Sequence, residues 1–305
     1  MNNHFLSITE LNRSEIDNIF EITKDLKAKT KRREPHKLLD GYSLAMIFAK
    51  PSTRTRVSFE TGMFQLGGMA IYLAPQDIGI GTREAVKDVA RVISRYNDMI
   101  MARLFAHSDI EELAKYSSVP VVNGLTDYNH PCQIMADTFT IMEHRGKLDG
   151  MKIVYVGDGN NVANSWINFA SRVPLHMVIC SPSNYEPDAK TLANANAAGI
   201  SKIEVINDPV EAVTNADVVY TDVWASMGQE AEAEARKKIF MPYQLNSKLM
   251  QHAKKDALVM HCLPAHRGEE ITDEVLESKQ SIVFDEAENR MHVQKAIMVK
   301  LAGKA

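Results

Sequence analysis

A short segment of the chain, Pro51–Arg56, combines hydroxyl and guanidinium side chains directly after an apolar run. The residues that this order places at the amino terminus of the following helix are Ser52, Thr53, Arg54 and Thr55. Free backbone N–H groups and the positive end of the helix dipole favour an anion there, and the side chains add charge-assisted hydrogen bonds. The alternative is an ordinary cap at Ser52 with solvated arginines. The density of donors favours a phosphate site.

Two further polar positions follow in the first half of the chain. Arg103 comes directly after the apolar run Asp98–Ala102, at the carboxyl end of a strand, where open α/β sheets bind ligands; a plain surface arginine is the alternative. His130 enters a helix whose first turn accepts Pro131. A histidine there can polarise a carbonyl or move a proton, although a lone histidine at a helix entry is more often structural.

The second half of the chain opens with a glycine turn, Gly157-x-Gly159, after an apolar run. The dinucleotide fingerprint fails, because Val162 occupies the third glycine position and the next strand ends at Cys180-Ser181 without a ribose-binding acid. What remains is a tight turn that presents Asn160 or Asn161 to a ligand, with plain turn chemistry as the alternative.

An acid and a thiol follow two later strands. Asp222 ends the run Asp217–Thr221 and suits recognition of an amino group. Cys262 ends the run Ala257–His261 and can contact a substrate, although a buried inert thiol is the commoner case. Because neighbours on a strand point to opposite faces, His261 and Cys262 are not expected to share a metal ion or to act as a nucleophile–base pair.

The elements that must position these residues alternate between short apolar runs and longer helical segments, which predicts an α/β fold of two domains, each a mostly parallel sheet flanked by helices. The runs extend to Ser281–Asp285. The apolar residues predicted to face the core from two of the helices are Val57, Met63, Phe64 and Leu66, and Val86, Val89, Ala90 and Ile93. Gly146 can end a helix, so the expected domains are residues 1–146 and 147–286. The last helix can pack on either, and we expect residues 287–305 to return to the first.

Composition excludes several classes of protein. The 305 residues suffice for two cores, and a net charge of −4 lacks the basic excess of a nucleic-acid binder. Three widely spaced cysteines fit reduced thiols in a cytoplasm better than disulfides. The polar start does not resemble a signal peptide, and the sequence contains no stretch of about 18 apolar residues, so no membrane association is expected.

Taken together, the motifs STRTR, HPCQ, DVWASMGQE, HCLP and DEAENR occur in the order and spacing of the aspartate/ornithine carbamoyltransferase family. The resemblance covers essentially the whole chain. STRTR and HPxQ are shared by both branches, whereas HCLP and the SMG loop are similar to the ornithine branch. The resemblance implies transfer of a carbamoyl group from carbamoyl phosphate to the δ-amine of L-ornithine, with citrulline and phosphate as products. It implies no metal and no organic cofactor.

The family's functional residues match positions of this chain. The resemblance implies that carbamoyl phosphate is bound by Ser52, Thr53, Arg54, Thr55, Arg103, His130, Gln133 and Arg290, with Cys262 and Leu263 near the reacting carbamoyl group. It implies that ornithine is bound by Asn161, Asp222, Ser226 and Met227. The residues expected to be catalytic are Arg103, His130, Asp222 and Cys262. Carbamoyl transfer to another amine and a catalytically silent phosphate-binding subunit are the alternatives.

One position departs from the family pattern. Gly79 stands where many members have Gln or His, a side chain that in the family's trimer reaches a neighbouring subunit's carbamoyl phosphate. We expect Thr82 or Arg83 to replace that contact. The resemblance also implies a homotrimer or an assembly of trimers. The direction of the reaction in the cell stays open, because one site catalyses both.

Overall fold

The computed structural model describes residues 3–81, 83–225 and 232–305. The chain divides into two compact units, the first formed by residues 1–136 and 288–305 and the second by residues 137–287. Both sheets are parallel, as expected for the α/β class. Among the described residues, no helix combines the length and the apolar character that crossing a membrane requires.

The first unit is built on a parallel sheet. Its elements, in chain order, are α1 (Arg13–Lys31), β1 (Ser43–Phe48), α2 (Thr53–Gln65), β2 (Met69–Leu73), α3 (Pro75–Ile78), α4 (Val86–Tyr96), β3 (Met99–Arg103), α5 (His107–Tyr116), β4 (Val121–Leu125) and the start of α6 (Pro131–Arg145). A 3₁₀ turn, Ile8–Glu10, precedes α1. The strand order within the described residues is β2-β1-β3-β4. Strands β1 and β3 are buried on both faces, which explains why they are continuous apolar runs.

The second unit repeats this architecture. Its elements are β5 (Lys152–Val156), α7 (Asn161–Ala170), β6 (His176–Cys180), α8 (Ala189–Ala198), β7 (Lys202–Ile206), α9 (Pro209–Val213), β8 (Val218–Thr221), α10 (Ala233–Phe240), a 3₁₀ turn (Met241–Tyr243), α11 (Ser247–Met250), β9 (Leu258–His261), α12 (Asp273–Leu276) and the start of α13 (Val283–Leu301). The strand order over the described part of this unit is β7-β6-β5-β8-β9. The ends of β5, β8 and β9 therefore lie side by side.

The division between the units falls inside helices rather than in a loop. It separates Ala136 from Asp137 within α6 and Ala287 from Glu288 within α13. The sequence signal at Gly146 marks the end of α6, because this glycine has a left-handed φ of 70°. The end of the helix and the boundary between units are thus different places in the chain.

Helix α2 has apolar residues on two faces. Met63 and Leu66 are buried with Phe59, whereas Val57 and Phe64 are 52% and 78% exposed. Val57 and Phe64 are seven residues apart and so share a face that points away from the core. The prediction that all four of these apolar residues of α2 face the core is therefore wrong for Val57 and Phe64. The prediction for α4 is confirmed: Val86, Val89 and Ala90 are buried, and Ile93 packs against the same cluster.

The run Ser281–Asp285 is not a strand. Only its first residues pair with β9: Ile282 donates to the carbonyl of Val259 at 3.0 Å. Helix α13 begins at Val283, with Asp285 and Glu286 in its first turn. Asp285 there interacts favourably with the positive end of the helix dipole, which favours a helix start over the strand preference of the preceding apolar residues.

Candidate active site

The amino terminus of α2 lies where the sequence predicts a helix start. Ser52 occupies the N-cap position, but its hydroxyl makes no capping bond to the helix and instead donates to Oγ1 of Thr55 at 3.2 Å. Within the described ranges, the half-buried guanidinium of Arg54 has no carboxylate partner. The second arginine of the motif differs, because Arg56 pairs with Glu60 at 3.0 Å. The motif thus supplies one uncompensated cation beside free helix N–H groups.

Arg290 joins this helix end from α13. Its Nη2 donates to Oγ1 of Thr55 at 3.0 Å, and both side chains are buried. The two helices approach closely because Gly62 has no side chain: a Cβ there would lie 3.1 Å from Cγ of Lys295. The fold therefore brings a guanidinium from the carboxyl-terminal helix to the predicted phosphate site.

Arg103 and His130 lie at the same edge of the first sheet. Arg103 ends β3 and pairs with Phe48 of β1, so that it lies next to the loop that leads into α2. His130 precedes α6 and is buried. Burial, together with the positive charges of Arg290 and Arg103, lowers the pKa of His130 well below its ordinary value. The imidazole is therefore neutral near pH 7, when it can donate one hydrogen bond without carrying charge.

A buried amide network fixes the loop before His130. The Nδ2 atom of Asn123 lies 2.6 Å from Oδ1 of Asn129, and Nδ2 of Asn129 donates to the carbonyl of Leu6. The backbone N–H of Thr126 also donates to the carbonyl of Asn129 at 2.9 Å. These hydrogen bonds fix the position of Asn129, the residue that precedes His130. Sequence reasoning passed over this network because asparagines in a loop are common turn residues.

In the second unit, Asp222 is the centre of a polar cluster. It follows β8 and is buried. One carboxylate oxygen accepts from the thiol of Cys262 at 2.9 Å, and the other accepts from Nδ2 of Asn160 at 2.9 Å. Burial and the charge of Asp222 raise the pKa of the Cys262 thiol well above its ordinary value. Cys262 therefore acts as a protonated donor rather than as a thiolate nucleophile.

The glycine turn places its two asparagines differently. Asn160 is the N-cap of α7 and accepts from the N–H groups of Val162 and Ala163, while its amide nitrogen bonds Asp222. Asn161 is the first helical residue and is half-buried. Gly159 is required by a close approach, because a Cβ there would lie 2.3 Å from the backbone of Glu186. That contact accounts for the glycine without a bound dinucleotide.

A hydrogen-bonded relay supports the backbone after β9. The N–H of Leu263 donates to Nδ1 of His261 at 2.9 Å, so the proton of this imidazole lies on Nε2, which donates to Glu270 at 3.0 Å. Leu263 adopts a left-handed φ of 54°, which is strained for a branched residue, and the bond to Pro264 is cis. The relay holds the strained residue in place.

Potential metal donors occur at this edge, contrary to the expectation from strand alternation. Oxygen, nitrogen and sulfur atoms of Asp222, His261 and Cys262 lie within 4.8 Å of one another. The alternation argument fails because β9 ends at His261 and the chain turns there. Both nitrogens of His261 are already engaged and the Cys262 thiol is protonated, so a metal ion would have to displace existing bonds.

Comparison with known proteins matches the two halves of the chain to two domain models, and the second match includes α13 with Arg290. Residues 3–143 match "Aspartate/ornithine carbamoyltransferase, carbamoyl-P binding domain", and residues 149–301 match "Aspartate/ornithine carbamoyltransferase, Asp/Orn binding domain". The chain belongs to the aspartate/ornithine carbamoyltransferase family. The first match contains the helix end with Ser52 and Thr55, and the second contains Asp222 and Cys262.

Relatives within the carbamoyltransferase family are similar over almost the whole chain. The ornithine carbamoyltransferase of Thermococcus kodakarensis is 54% identical over 98% of this chain and 96% of its own length. The chloroplastic ornithine carbamoyltransferase of Pisum sativum is 58% identical over 95% of this chain and 76% of its own. The structure of the Pyrococcus furiosus ornithine carbamoyltransferase is 53% identical, with a TM-score of 0.94 over 98% of this chain and 97% of that one.

Other buried polar residues of the chain give no signal in the sequence. Arg236 of α10 is buried and pairs with Asp158, whose pKa burial raises to about 6. Glu286 accepts from the backbone N–H of His261 at 3.1 Å, and it hydrogen-bonds Asp137. The carboxyl pair shares a proton, since burial and the neighbouring charge raise the pKa of Glu286 well above its ordinary value. Because the sequence of α10 is rich in charged residues, it predicts a solvent-exposed helix, and the burial of Arg236 could not be predicted from it.

Three positions implicated by the family resemblance, Thr82, Ser226 and Met227, lie outside the described residues. Gly79 is described, and its left-handed φ of 53° places the position of a Cβ only 2.8 Å from Cβ of Arg83. A Gln or His at this position would therefore require a different turn. The guanidinium of Arg83 donates to the carbonyl of Asp77 at 2.6 Å.

Proposed function

We propose that this chain transfers the carbamoyl group of carbamoyl phosphate to the δ-amine of L-ornithine, giving L-citrulline and phosphate. The observation that carries the proposal is that the chain holds two different polar clusters, which we call half-sites, and that it matches the two domain models of the family. The first unit places hydrogen-bond donors for an anion around Thr55 and Arg290. The second unit places the carboxylate of Asp222 beside the thiol of Cys262. Relatives at 54% and 58% identity are named ornithine carbamoyltransferase.

The first half-site suits carbamoyl phosphate. In the proposal, the N–H groups at the start of α2 bind the phosphate, together with Ser52, Thr53, Arg54 and Thr55. Arg103, His130, Gln133 and Arg290 face the carbamoyl group, and Arg103, neutral His130 and Thr55 stabilise negative charge on its oxygen. Such preorganised donors are often worth about 3 kcal/mol each in the transition state.

The second half-site suits an amino acid with a terminal amine. Asp222 and Cys262 orient the neutral δ-amine, and the backbone of Leu263 lies beside the reacting carbon. The attacking nitrogen forms a bond to the carbamoyl carbon, the bond from that carbon to the phosphate oxygen breaks, and the proton that the nitrogen loses passes to the departing phosphate. Asn161, Ser226 and Met227 complete the proposed ornithine site. No metal or organic cofactor enters this scheme.

The test is citrulline formation by the purified chain from carbamoyl phosphate and ornithine, with putrescine, N-acetylornithine, lysine and aspartate as parallel acceptors. We expect turnover with ornithine at least a hundredfold above any other acceptor. Turnover with another amine would retain the first half-site and refute the second. Absence of turnover, with phosphate still bound, would favour a catalytically silent phosphate-binding subunit.

We further propose a homotrimer, or an assembly of trimers, in the cytoplasm. Exposed apolar side chains support an interface in the first unit: Val57 on α2 and Met69 and Ile71 on the edge strand β2. The three free cysteines support a reducing compartment. Light scattering of the wild-type chain and of a Val57→Lys, Met69→Lys variant tests the assembly; equal masses would contradict this interface.

The direction that we propose is citrulline synthesis, as part of arginine biosynthesis. Two relatives support it, because the enzyme of Pyrococcus furiosus and the Campylobacter jejuni structure are both named anabolic. Comparison of kcat/KM for citrulline formation and for its phosphorolysis tests this direction. A larger value for phosphorolysis would contradict it.

A further inference from the structure

Lys295 is a buried ammonium group in the interior of the first unit. It lies on α13, is fully buried, and donates to Thr30 Oγ1 at 2.7 Å and to Gln65 Oε1 at 2.8 Å; its third neighbour is Nε2 of His36 at 3.2 Å. None of these three partners is a carboxylate. Over residues 3–81, 83–225 and 232–305, no carboxylate lies within 4.0 Å of this ammonium.

The acceptors of Lys295 line a cavity of about 490 Å³ at the surface of the unit. Thr30, His36 and Gln65 all contribute to its wall, so the buried charge lies directly behind the cavity. Because Gln65 points its oxygen at Lys295, its amide nitrogen is oriented away from the ammonium. The cavity volume of about 490 Å³ falls in the range of small-molecule sites.

The rim of the cavity adds two more cations. Arg33 and Lys37 line it, and the described residues provide neither side chain with an ion pair or a hydrogen bond. The only acid in the lining, Glu34, pairs instead with Arg32 at 2.8 Å. Arg33 also occupies a left-handed position, φ 56°, at the end of α1, where glycine is usual.

The protein does not compensate the charge of Lys295 by itself. Transfer of an ammonium from water to the interior is costly unless an opposite charge accompanies it. Burial accordingly lowers the pKa of Lys295 to about 8. The interaction of cations with the carboxyl end of α1 accounts for Arg32 and Arg33, but it does not require a lysine buried from another helix.

We infer that this cavity is a second anion site, separate from the carbamoyl phosphate site, and that it binds a small oxyanion, either a phosphate or a carboxylate, between Arg33, Lys37 and the field of Lys295. The positive charges of Arg33, Lys37 and Lys295, together with the amide of Gln65, define the site. The proposal does not depend on the carbamoyltransferase activity.

Calorimetric titration of the full chain with inorganic phosphate, and separately with benzoate, tests the inference. In the wild type we expect two phosphate ions per chain. An Arg54→Ala, Arg103→Ala variant removes the carbamoyl phosphate site and retains one. An Arg33→Ala, Lys37→Ala variant retains the carbamoyl phosphate site, and its citrulline formation stays within twofold of the wild type. Its affinity for phosphate at the second site is at least tenfold weaker. Lys24→Ala, an exposed lysine of α1 outside the cavity, is the control and retains both.

The outcomes separate the ligand classes. Second-site binding of phosphate alone assigns a phosphate site, binding of benzoate alone assigns a carboxylate site, and binding of both supports a general oxyanion site. One equivalent of phosphate in the wild type with no benzoate bound overturns the inference, as does binding that is unchanged in the Arg33→Ala, Lys37→Ala variant. The inference does not require Lys295 variants to fold, since both rim residues are exposed.

Discussion

The Oγ1 atom of Thr55 lies 3.0 Å from Nη2 of Arg290, although 235 residues separate the two positions. The contact joins the first turn of α2 to the carboxyl-terminal helix. It orients a buried guanidinium toward the helix end that we assign to carbamoyl phosphate. Sequence patterns alone do not show this contact, because no local motif links residues so far apart.

Replacement of Thr55 by valine tests the importance of that contact. The change preserves shape and removes the acceptor for Arg290, and a hydrogen bond to a charged group is worth about 1.5–3 kcal/mol. We expect kcat/KM for carbamoyl phosphate to fall by about tenfold to a hundredfold. Thr61→Val, on the same helix, is the matched control and leaves the value within twofold. Equal effects of both changes would refute the assignment.

The protonation of Cys262 predicts its reactivity. Because burial and Asp222 raise the pKa of the thiol, little thiolate is present at pH 8.5, and iodoacetamide should modify Cys262 at least about ten times more slowly than free cysteine. Asp222→Asn removes the nearby charge, so alkylation should accelerate. Peptide mass spectrometry measures both rates. A slower rate in Asp222→Asn would show that the carboxylate does not control this thiol.

The relay from Glu270 to His261 predicts a difference between neighbouring glutamates. Glu270→Ala leaves the buried Nε2–H of His261 without its acceptor, which costs about 1–3 kcal/mol of unfolding free energy. Glu269→Ala, one residue away and half-exposed, should cost less than about 0.5 kcal/mol. Urea unfolding measures both values. We also expect kcat to fall in Glu270→Ala alone, since the relay holds Leu263.

Lys295 predicts a rise in stability at alkaline pH. Its pKa is about 8 in the folded chain against an ordinary 10.5, so between these values the folded chain binds fewer protons than the unfolded one, and stability increases with pH. From pH 7.5 to pH 10, wild type should gain about 2 kcal/mol relative to Lys295→Met, as one pKa unit corresponds to about 1.4 kcal/mol. Lys300→Met, on the same helix, should not alter the wild-type trend. Parallel curves for wild type and Lys295→Met would disprove the argument.

The turn after α3 predicts a role for Thr82 or Arg83 in carbamoyl phosphate binding. If either residue replaces the side chain that Gly79 lacks, Thr82→Ala with Arg83→Ala should raise the KM for carbamoyl phosphate several-fold while the KM for ornithine stays constant. Steady-state kinetics separates the two constants, and Lys87→Ala on α4 serves as a control. An unchanged KM for carbamoyl phosphate in the double variant removes the hypothesis.

Strands and their ends were predictable from the sequence where local signals agreed. The apolar runs before Arg103 and Asp222 are strands, and both residues lie at the expected sheet edges. Ser52 was placed correctly at a helix start, but its hydroxyl bonds Thr55 instead of capping the helix. Local patterns specify where an element ends, whereas the partner of each side chain depends on distant segments.

The errors of prediction have tertiary causes. Ser281–Asp285 contains strand-forming residues, yet Asp285 favours a helix start, and pairing with β9 is limited to a bridge at Ser281 with a hydrogen bond from Ile282 to Val259. Val57 and Phe64 are apolar but do not face the core. The helical spacing of apolar residues does not distinguish a face that packs in the core from an exposed apolar face. The hydrogen bond from Asn160 to Asp222, 62 positions away, cannot be read from the local turn pattern, which leaves Asn160 and Asn161 equivalent.

Gly62 lies opposite Lys295 where α2 and α13 cross, and the missing side chain sets the interaxial distance of these helices. The same two helices carry Thr55 and Arg290. A methyl group at position 62 would lie 3.1 Å from Cγ of Lys295, so this side chain would have to shift, two helical turns from the Thr55–Arg290 contact. The residues that carry the proposed phosphate site are thus held on two helices whose crossing leaves little room for a side chain at position 62.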